Sequence, residues 1–506
     1  MVWSGPGRSL LALPSGVSPG PRAGGSAGAT RRGPAQLATV ALFAALAALA
    51  LVDLGRPFGN GDEVIYAENA REMRASGAWG ELHWQGALVL QRPAAPFAVA
   101  ALSEAVVGGE LGLRLPSALA HLATLGLVFG FALACFRRRD GAVIATVLCA
   151  GAPSFHLFSR ALLSDPPFVL GLTLAVGATA LALRRDLPGP RARRALLAAA
   201  GGLGLAVASK SLAAAIPALA LAPWLIIAAR RHADRRTVIA GVALFLALAA
   251  PFYVLGFAGH GARFWHEHVG YSLVARARGD LAVGMPGGVL AYGRYLAVIY
   301  GAAVAVWIGL AIAGGAAVAL RRRATEPAAI ALLALVAYTV AVFVGLSLVG
   351  TRLPHYLLPI YPAAALAIAG LWAELCRRAP AQDRPPARAL AIAAAVALAV
   401  AGLGRLPEEH FLPSPETVAL GRAAATEPAA GPGAPVIALD WYAPALGYYA
   451  GRPVILATHS PTLFTIMDDV DFFHAADAVR QVPPPPAPPG ALILVAGPGP
   501  ALDAPA

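Results

Sequence analysis

Apolar residues run along this chain in long blocks, and polar residues collect in the gaps between them. A helix needs about 20 mostly apolar residues to cross a bilayer. Runs near 36–53, 114–135, 141–158, 167–183, 195–209, 212–229, 237–255, 295–319, 327–348, 356–375 and 387–403 approach that length. The pattern predicts an all-α polytopic membrane protein with about eleven transmembrane helices. Residues 94–107 differ, being short and carrying Glu104 inside the run. They suit a helix lying in the membrane interface, with Pro96 in its first turn and Gly108 after its end.

The gaps test this list. Arginine comes in bursts, "RRRD", "RARR", "RRHADRR", "RRR" and "CRR". With Arg31 and Arg32 cytoplasmic, the basic loops at 137–139, 184–194, 230–236, 321–323 and 377–388 all fall on that same side, as the positive-inside rule requires. Counting 94–107 as a span would reverse this. The outward segments are then 54–113, 159–166, 210–211, 256–294, 349–355 and a tail from 404. The organisation expected is a cytoplasmic, disordered extension over 1–35, a membrane domain over 36–403 and a small extracytoplasmic α/β domain over 404–506. The extension is rich in Gly, Pro, Ser and Arg; the first apolar run ends at Asp53 without a small-residue cleavage site and reads as a retained helix. The tail carries "APVIALD", "RPVILA" and "ALILVA", runs of strand length, and "PPPPAPP", a stiff extended connector.

Composition agrees. Hydrophobic residues make up 58% and charged residues 13%, with a mean hydropathy of +0.66, far from the roughly 25% charged of soluble domains. The net charge of +12 resides in membrane-anchoring arginine bursts, which argues against a nucleic-acid partner. Cys135, Cys149 and Cys376 lie in or beside apolar runs without metal-ligand spacing, so neither a disulfide framework nor a zinc site is expected. Lys210 is the one lysine among 39 basic residues.

A chain so poor in charge nevertheless sets Asp62, Glu63, Glu68 and Glu72 directly after its first apolar run, in "GNGDEVIYAENAREM". Asp62 and Glu63 open a short helix that Gly77 stops, with Val64, Ile65 and Met73 expected to rest on the membrane surface. The other outward segments bring Asp165 in "RALLSDPP", Lys210 in "VASKSLAAAIP", His266 and His268 in "FWHEHVGYSLVARARGD", and Arg352 and Tyr356 in "VGTRLPHYLLPIYP". Each residue alone has a structural explanation. Asp62 and Asp165 can cap helices, Lys210 can snorkel, the histidines can be loop residues, and Tyr356, Tyr361 and Trp372 can be interfacial aromatics.

In order and spacing, "DEVIYAENAREMRASGAWG", "QRPAAPFAVAALSEAVVGGELGLRLPSALA", "SDPP", "SK", "PFYV", "WHEH" and "TRLPHYLLPIYP" resemble the family 39 glycosyltransferases of the GT-C superfamily. That family includes bacterial transferases that move aminoarabinose onto lipid A and, more distantly, protein O-mannosyltransferases. The resemblance covers roughly residues 36–375. It implies an enzyme of the bacterial inner membrane that takes a sugar from a polyprenyl-phosphate donor, such as undecaprenyl phosphate, to a lipid, glycan or protein acceptor at the outer face. Asp62 would be the general base and Asp165 the second acid. Arg92, Lys210, Arg352 and Tyr356 would bind the donor phosphate, and Glu63, Tyr66 and His268 would support the site. His268 also matches a histidine that sometimes accompanies a metal. Gln91 and Arg92 stand where the family has Glu-Lys, and Gln91 lacks the anion that would hold a divalent ion, so metal dependence stays open. Ser211 replaces a common glycine after the lysine. Displacement of phosphate by an acceptor activated by a carboxylate implies inversion at the anomeric carbon. A transporter or flippase of lipid-linked sugars and a non-catalytic envelope polysaccharide assembly protein are the alternatives; the former should show inverted repeats and broken helices at the midplane.

Overall fold

The computed structural model describes residues 34–59, 61–280, 288–299, 302–322, 327–378, 384–403, 415–427, 435–439, 443–458, 479–481 and 492–495. The chain divides into two compact units, Met1–Ala44 and Ala45–Ala506. The described part of the first is the start of helix α1 (Pro34–Leu51), which carries no charge. The extension over 1–33 and the proline connector at 483–489 lie outside the described residues.

In the second unit the first outward segment forms α2 (Asp62–Ser76), a hairpin of β1 (Leu82–Trp84) and β2 (Ala87–Val89), and α3 (Ala95–Val107). Gly77, at φ 74, ends α2 in the left-handed conformation that glycine adopts without strain. The apolar side of α2 faces protein rather than lipid: Val64, Ile65 and Met73 are buried, because β1, α3 and the tail all pack on this helix. The surface position expected for these three residues is therefore corrected. On α3, Val99, Leu102, Val106 and Val107 are exposed, an apolar face of the kind an interfacial helix presents.

The membrane domain follows as α4 (Gly109–Phe136), α5 (Arg139–Ala150), α6 (Pro153–Phe158), α7 (Asp165–Ala182), α8 (Gly189–Lys210), α9 (Ala215–His232) and α10 (Arg235–Phe264). A π-helical stretch, Trp265–Ala275, then runs into the single turn α11 (Arg276–Arg278). The short α12 (Ala291–Arg294), α13 (Ala302–Arg322), α14 (Ala329–Leu348), α15 (Ile360–Arg378) and α16 (Arg384–Leu403) complete it. Among the described residues seven helical segments are long and apolar enough to cross a membrane, and one of them, Gly189–His232, holds two of the expected runs. The run at 141–158 is two helices, because Pro153 cannot continue α5. Helices α7 and α8 approach closely through Gly171 and Gly202, where an added Cβ would meet backbone at 2.6 and 2.5 Å respectively.

The tail is α/β. Strands β3 (Val436–Leu439), β4 (Val454–Thr458), β5 (Val479–Gln481) and β6 (Leu492–Val495) form a parallel sheet in the order β5-β4-β3-β6, flanked by α17 (Pro415–Ala425) and α18 (Pro444–Ala450). It sits against the first outward segment. The Tyr449 hydroxyl accepts from Phe58 N at 2.6 Å and donates to Glu110 at 3.1 Å, and Arg71 donates to Tyr448 O at 2.9 Å.

Candidate active site

Helix ends build the site. Asp62 is the first residue of α2, Asp165 the first of α7 and Lys210 the last of α8. Helix N-termini favour carboxylates and C-termini favour cations, so the backbone itself supports each charge where it stands. All three line one cavity of about 340 Å³, together with Arg92, Arg276 and Tyr356.

Lys210 Nζ donates to Asp165 Oδ1 at 2.6 Å and lies over the rings of Tyr356 and Phe168, at 5.2 and 5.9 Å from their centroids. Asp165 is buried and the lysine side chain is only 10% exposed. An ammonium has three donors, and among the described residues this one spends a single hydrogen bond on the protein. Arg276 Nη1 donates to the Tyr356 hydroxyl at 3.1 Å, and the Arg92 guanidinium lies 5.4 Å from the centre of the Tyr66 ring, itself stacked on Phe97. Three cations thus line the cavity, with apolar wall from Ile216, Leu346 and Leu353.

Glu63 stands beside Asp62 in sequence but serves the scaffold. Its carboxylate takes Arg114 in a forked pair, at 2.8 Å from Nε and 3.1 Å from Nη2, and accepts from Leu162 N at 2.8 Å. Arg114 Nη1 also donates to the carbonyls of Leu54 and Arg56, and its guanidinium covers the Phe58 ring at 4.3 Å. This lock ties the segment before Asp62 to α4 and to the loop before α7. It is why the first-segment acids and the "RLP" arginine belong to one pattern.

A second chain of bonds holds the opposite wall. His268 Nδ1 pairs with Gln91 O at 3.1 Å and can only donate to that carbonyl, which leaves Nε2 to accept from the Ser211 hydroxyl at 2.7 Å; Ser211 in turn pairs with the Tyr253 hydroxyl. Both His268 nitrogens are thereby used. Among the described residues no group of three or more His, Cys, Asp or Glu could hold a metal ion. The donors at His268 do not fit a metal, and Gln91 contributes its backbone carbonyl to the histidine. Ser211 sits at φ 50, ψ −127, a conformation that favours glycine. Its two side-chain hydrogen bonds offset the strain of the glycine replacement.

The structure brings together Asp62, Asp165, Arg92, Lys210 and Tyr356, with Tyr66, Glu63 and His268 as supports. Arg352 is different. Its guanidinium donates to the carbonyls of Ser347 and Gly350, both at 3.1 Å, and it is not among the cavity-lining residues. Arg276, in "VARARGD", lines the cavity in its stead. His355 and Ser164 also line the cavity and had no sequence signal beyond adjacency to Tyr356 and Asp165.

The fold is shared with the solved structures of ArnT and AglB. Over 88% of this chain and 90% of the other, it matches the crystal structure of ArnT from Cupriavidus metallidurans bound to undecaprenyl phosphate, with a TM-score of 0.66 at 18% identity. It matches the oligosaccharyltransferase AglB of Archaeoglobus fulgidus, solved with an inhibitory peptide and a dolichol-phosphate, over 83% and 64% of the two chains, with a TM-score of 0.57 at 15% identity. In sequence, the family model of dolichyl-phosphate-mannose-protein mannosyltransferase matches residues 60–267. The undecaprenyl phosphate-alpha-4-amino-4-deoxy-L-arabinose arabinosyl transferase of Edwardsiella ictaluri is 28% identical over 323 residues, covering 62% of this chain and 56% of that protein. The enzyme of that name in Erwinia tasmaniensis is 27% identical over 336 residues, covering 65% and 58%. The chain thus spans somewhat over half the length of these curated relatives. The resemblance read from the first-segment motif holds, and the chain is a multi-pass membrane protein similar to these transferases.

Proposed function

We propose that the chain is a glycosyltransferase that takes a sugar from a polyprenyl-phosphate donor to a lipid acceptor at the outer face of the bacterial inner membrane, with inversion at the anomeric carbon. The observation that carries this reading is the convergence of Asp62 with Arg92, Lys210 and Arg276 in one cavity that also has apolar wall. A polyprenyl-phosphate sugar is an anionic group on a tail that stays in lipid, so its site needs fixed cations beside an apolar entrance. The cations stabilise charge growing on the departing phosphate, a preorganised electrostatic contribution that is often the largest in catalysis. Asp62, in the same cavity, accepts the proton of the acceptor nucleophile as the new bond to the anomeric carbon forms and the bond to phosphate breaks. Asp165 holds Lys210 in place. The proposed outer-face placement follows from the arginine bursts, which leave the cavity on the side opposite to them.

The test supplies labelled polyprenyl-phosphate sugars differing in sugar to the protein in detergent, with membrane lipids, glycan and unfolded protein as separate acceptors. Label moving from the donor to a second lipid, resolved from the donor by chromatography, supports the proposal. Label in glycan or protein alone overturns the acceptor, and flipping of the donor in liposomes without transfer overturns the enzyme.

A further inference from the structure

The far end of the helix bundle holds a second cavity, of about 250 Å³, between the ends of α4, α7 and α15 and the start of α14. Helix α7 runs from Asp165, in the active-site cavity, over 18 residues to this end, which puts the two sites roughly 27 Å apart at about 1.5 Å per residue. Arg137, Arg138, Arg184 and Arg377 line it, over an apolar wall that includes Phe136, Val318 and Leu332.

The ion pairs around it are unbalanced in a regular way. Asp186 bridges Arg137 and Arg184, Asp140 bridges Arg138 and Arg388, and Glu374 bridges Arg377 and Arg378. Each of these carboxylates pairs with two guanidinium groups, and among the described residues lining the cavity four are arginines and one, Asp186, is an acid. Arg184 is held rigidly, since it is buried and also donates to Cys135 O. Arginines used only as topological anchors have no need of a cavity or of shared acids.

We propose that this cavity binds the phosphate headgroup of an anionic glycerophospholipid, with the acyl chains along the apolar wall. Basic pockets between transmembrane helices are suited to anionic headgroups, and guanidinium groups suit phosphate because they bind it through paired hydrogen bonds. Four arginines against one acid in the described lining suit an anion. The apolar wall, continuous with the bundle, selects a lipid over a soluble phosphate.

Native mass spectrometry of the full chain in non-ionic detergent tests this, with phosphatidylglycerol, phosphatidylcholine and inorganic phosphate as probes. Wild type is expected to retain phosphatidylglycerol over phosphatidylcholine. R137Q/R377Q should lose about tenfold or more of that affinity, since each basic side chain near an anionic surface contributes about fivefold. R230Q/R231Q, at the end of α9 and away from the cavity lining, should keep it. Equal loss in both pairs would mean that only bulk charge attracts the lipid and would overturn the site. Phosphate binding without lipid preference would overturn the lipid assignment. Arg137 is 69% exposed, so its replacement leaves the core untouched. A rise in wild-type Tm with phosphatidylglycerol that is absent in R137Q/R377Q is the second expected readout, and an equal rise in both would count against the proposal.

Discussion

Two buried acid–base pairs sit near one another in this protein and do opposite work. Glu63 and Arg114 spend their hydrogen-bonding capacity on the fold, on each other, on Leu162 N and on the carbonyls of Leu54 and Arg56. Asp165 and Lys210 make one bond to each other and face a cavity. Buried charge is costly, and a pair offsets that cost only when its remaining donors and acceptors are satisfied. The first pair is closed and serves the scaffold. The second lines the cavity in which we propose the donor binds.

The largest expected effect is on activity and belongs to Asp62, which shares the cavity with the second pair. Next comes stability. R114M leaves Glu63 buried without its partner and strands two loop carbonyls, and should cost about 3–5 kcal/mol, read by thermal unfolding in detergent. E63Q/R114M should not recover it, because the carbonyl contacts stay lost. At the open pair, K210M should cost about as much through the orphaned Asp165, while D165N/K210M should regain most of the stability and none of the transfer. If the two double variants behave alike, the distinction between closed and open pairs fails.

Donor binding separates the arginines. R276Q removes a charged contact worth about 1.5–3 kcal/mol and should weaken donor affinity about tenfold or more. R352Q, whose guanidinium is turned to Ser347 and Gly350, should change affinity little. Titration with a labelled polyprenyl phosphate decides between them. At Ser211, S211A keeps the strained backbone and loses both side-chain bonds, and should cost about 1–2 kcal/mol; S211G relieves the strain and should cost less.

The smallest effect lies at the far end. Asp234 caps α10, and hydrogen bonds from Thr237, with the nearby Arg193, lower its carboxyl to about 2 from an ordinary 3.8. A depressed acid contributes stability that is present above the unfolded value and lost as pH falls through the folded one. D234N should therefore unfold more easily than wild type at pH 5, and the gap should close as pH approaches 2.

Much of this was legible in the chain. The apolar runs give the helices, the arginine bursts order them, and "DEVIYAENAREM" marks α2 with its glycine stop. Asp62, Arg92, Asp165, Lys210 and Tyr356 were chosen from loops far apart in sequence and line one cavity. Arg276 was not, because nothing in "VARARGD" tells which arginine turns inward when the π-helical stretch before it shifts the helical phase. Arg352 lies outside the cavity lining because a nearby backbone turn offers its guanidinium the carbonyls of Ser347 and Gly350. The burial of Val64, Ile65 and Met73 depends on β1, α3 and the tail packing on α2, the last across the 377 positions between Arg71 and Tyr448, which no local pattern encodes.

The central claim is that Asp62 deprotonates the acceptor. Initial rates of transfer by wild type and D62N, at saturating donor and with donor affinity measured in parallel, test it directly. The account predicts a fall of about 10² to 10⁴ in rate, the span of general-base catalysis, with donor affinity retained. A D62N protein that transfers sugar at the wild-type rate would contradict it.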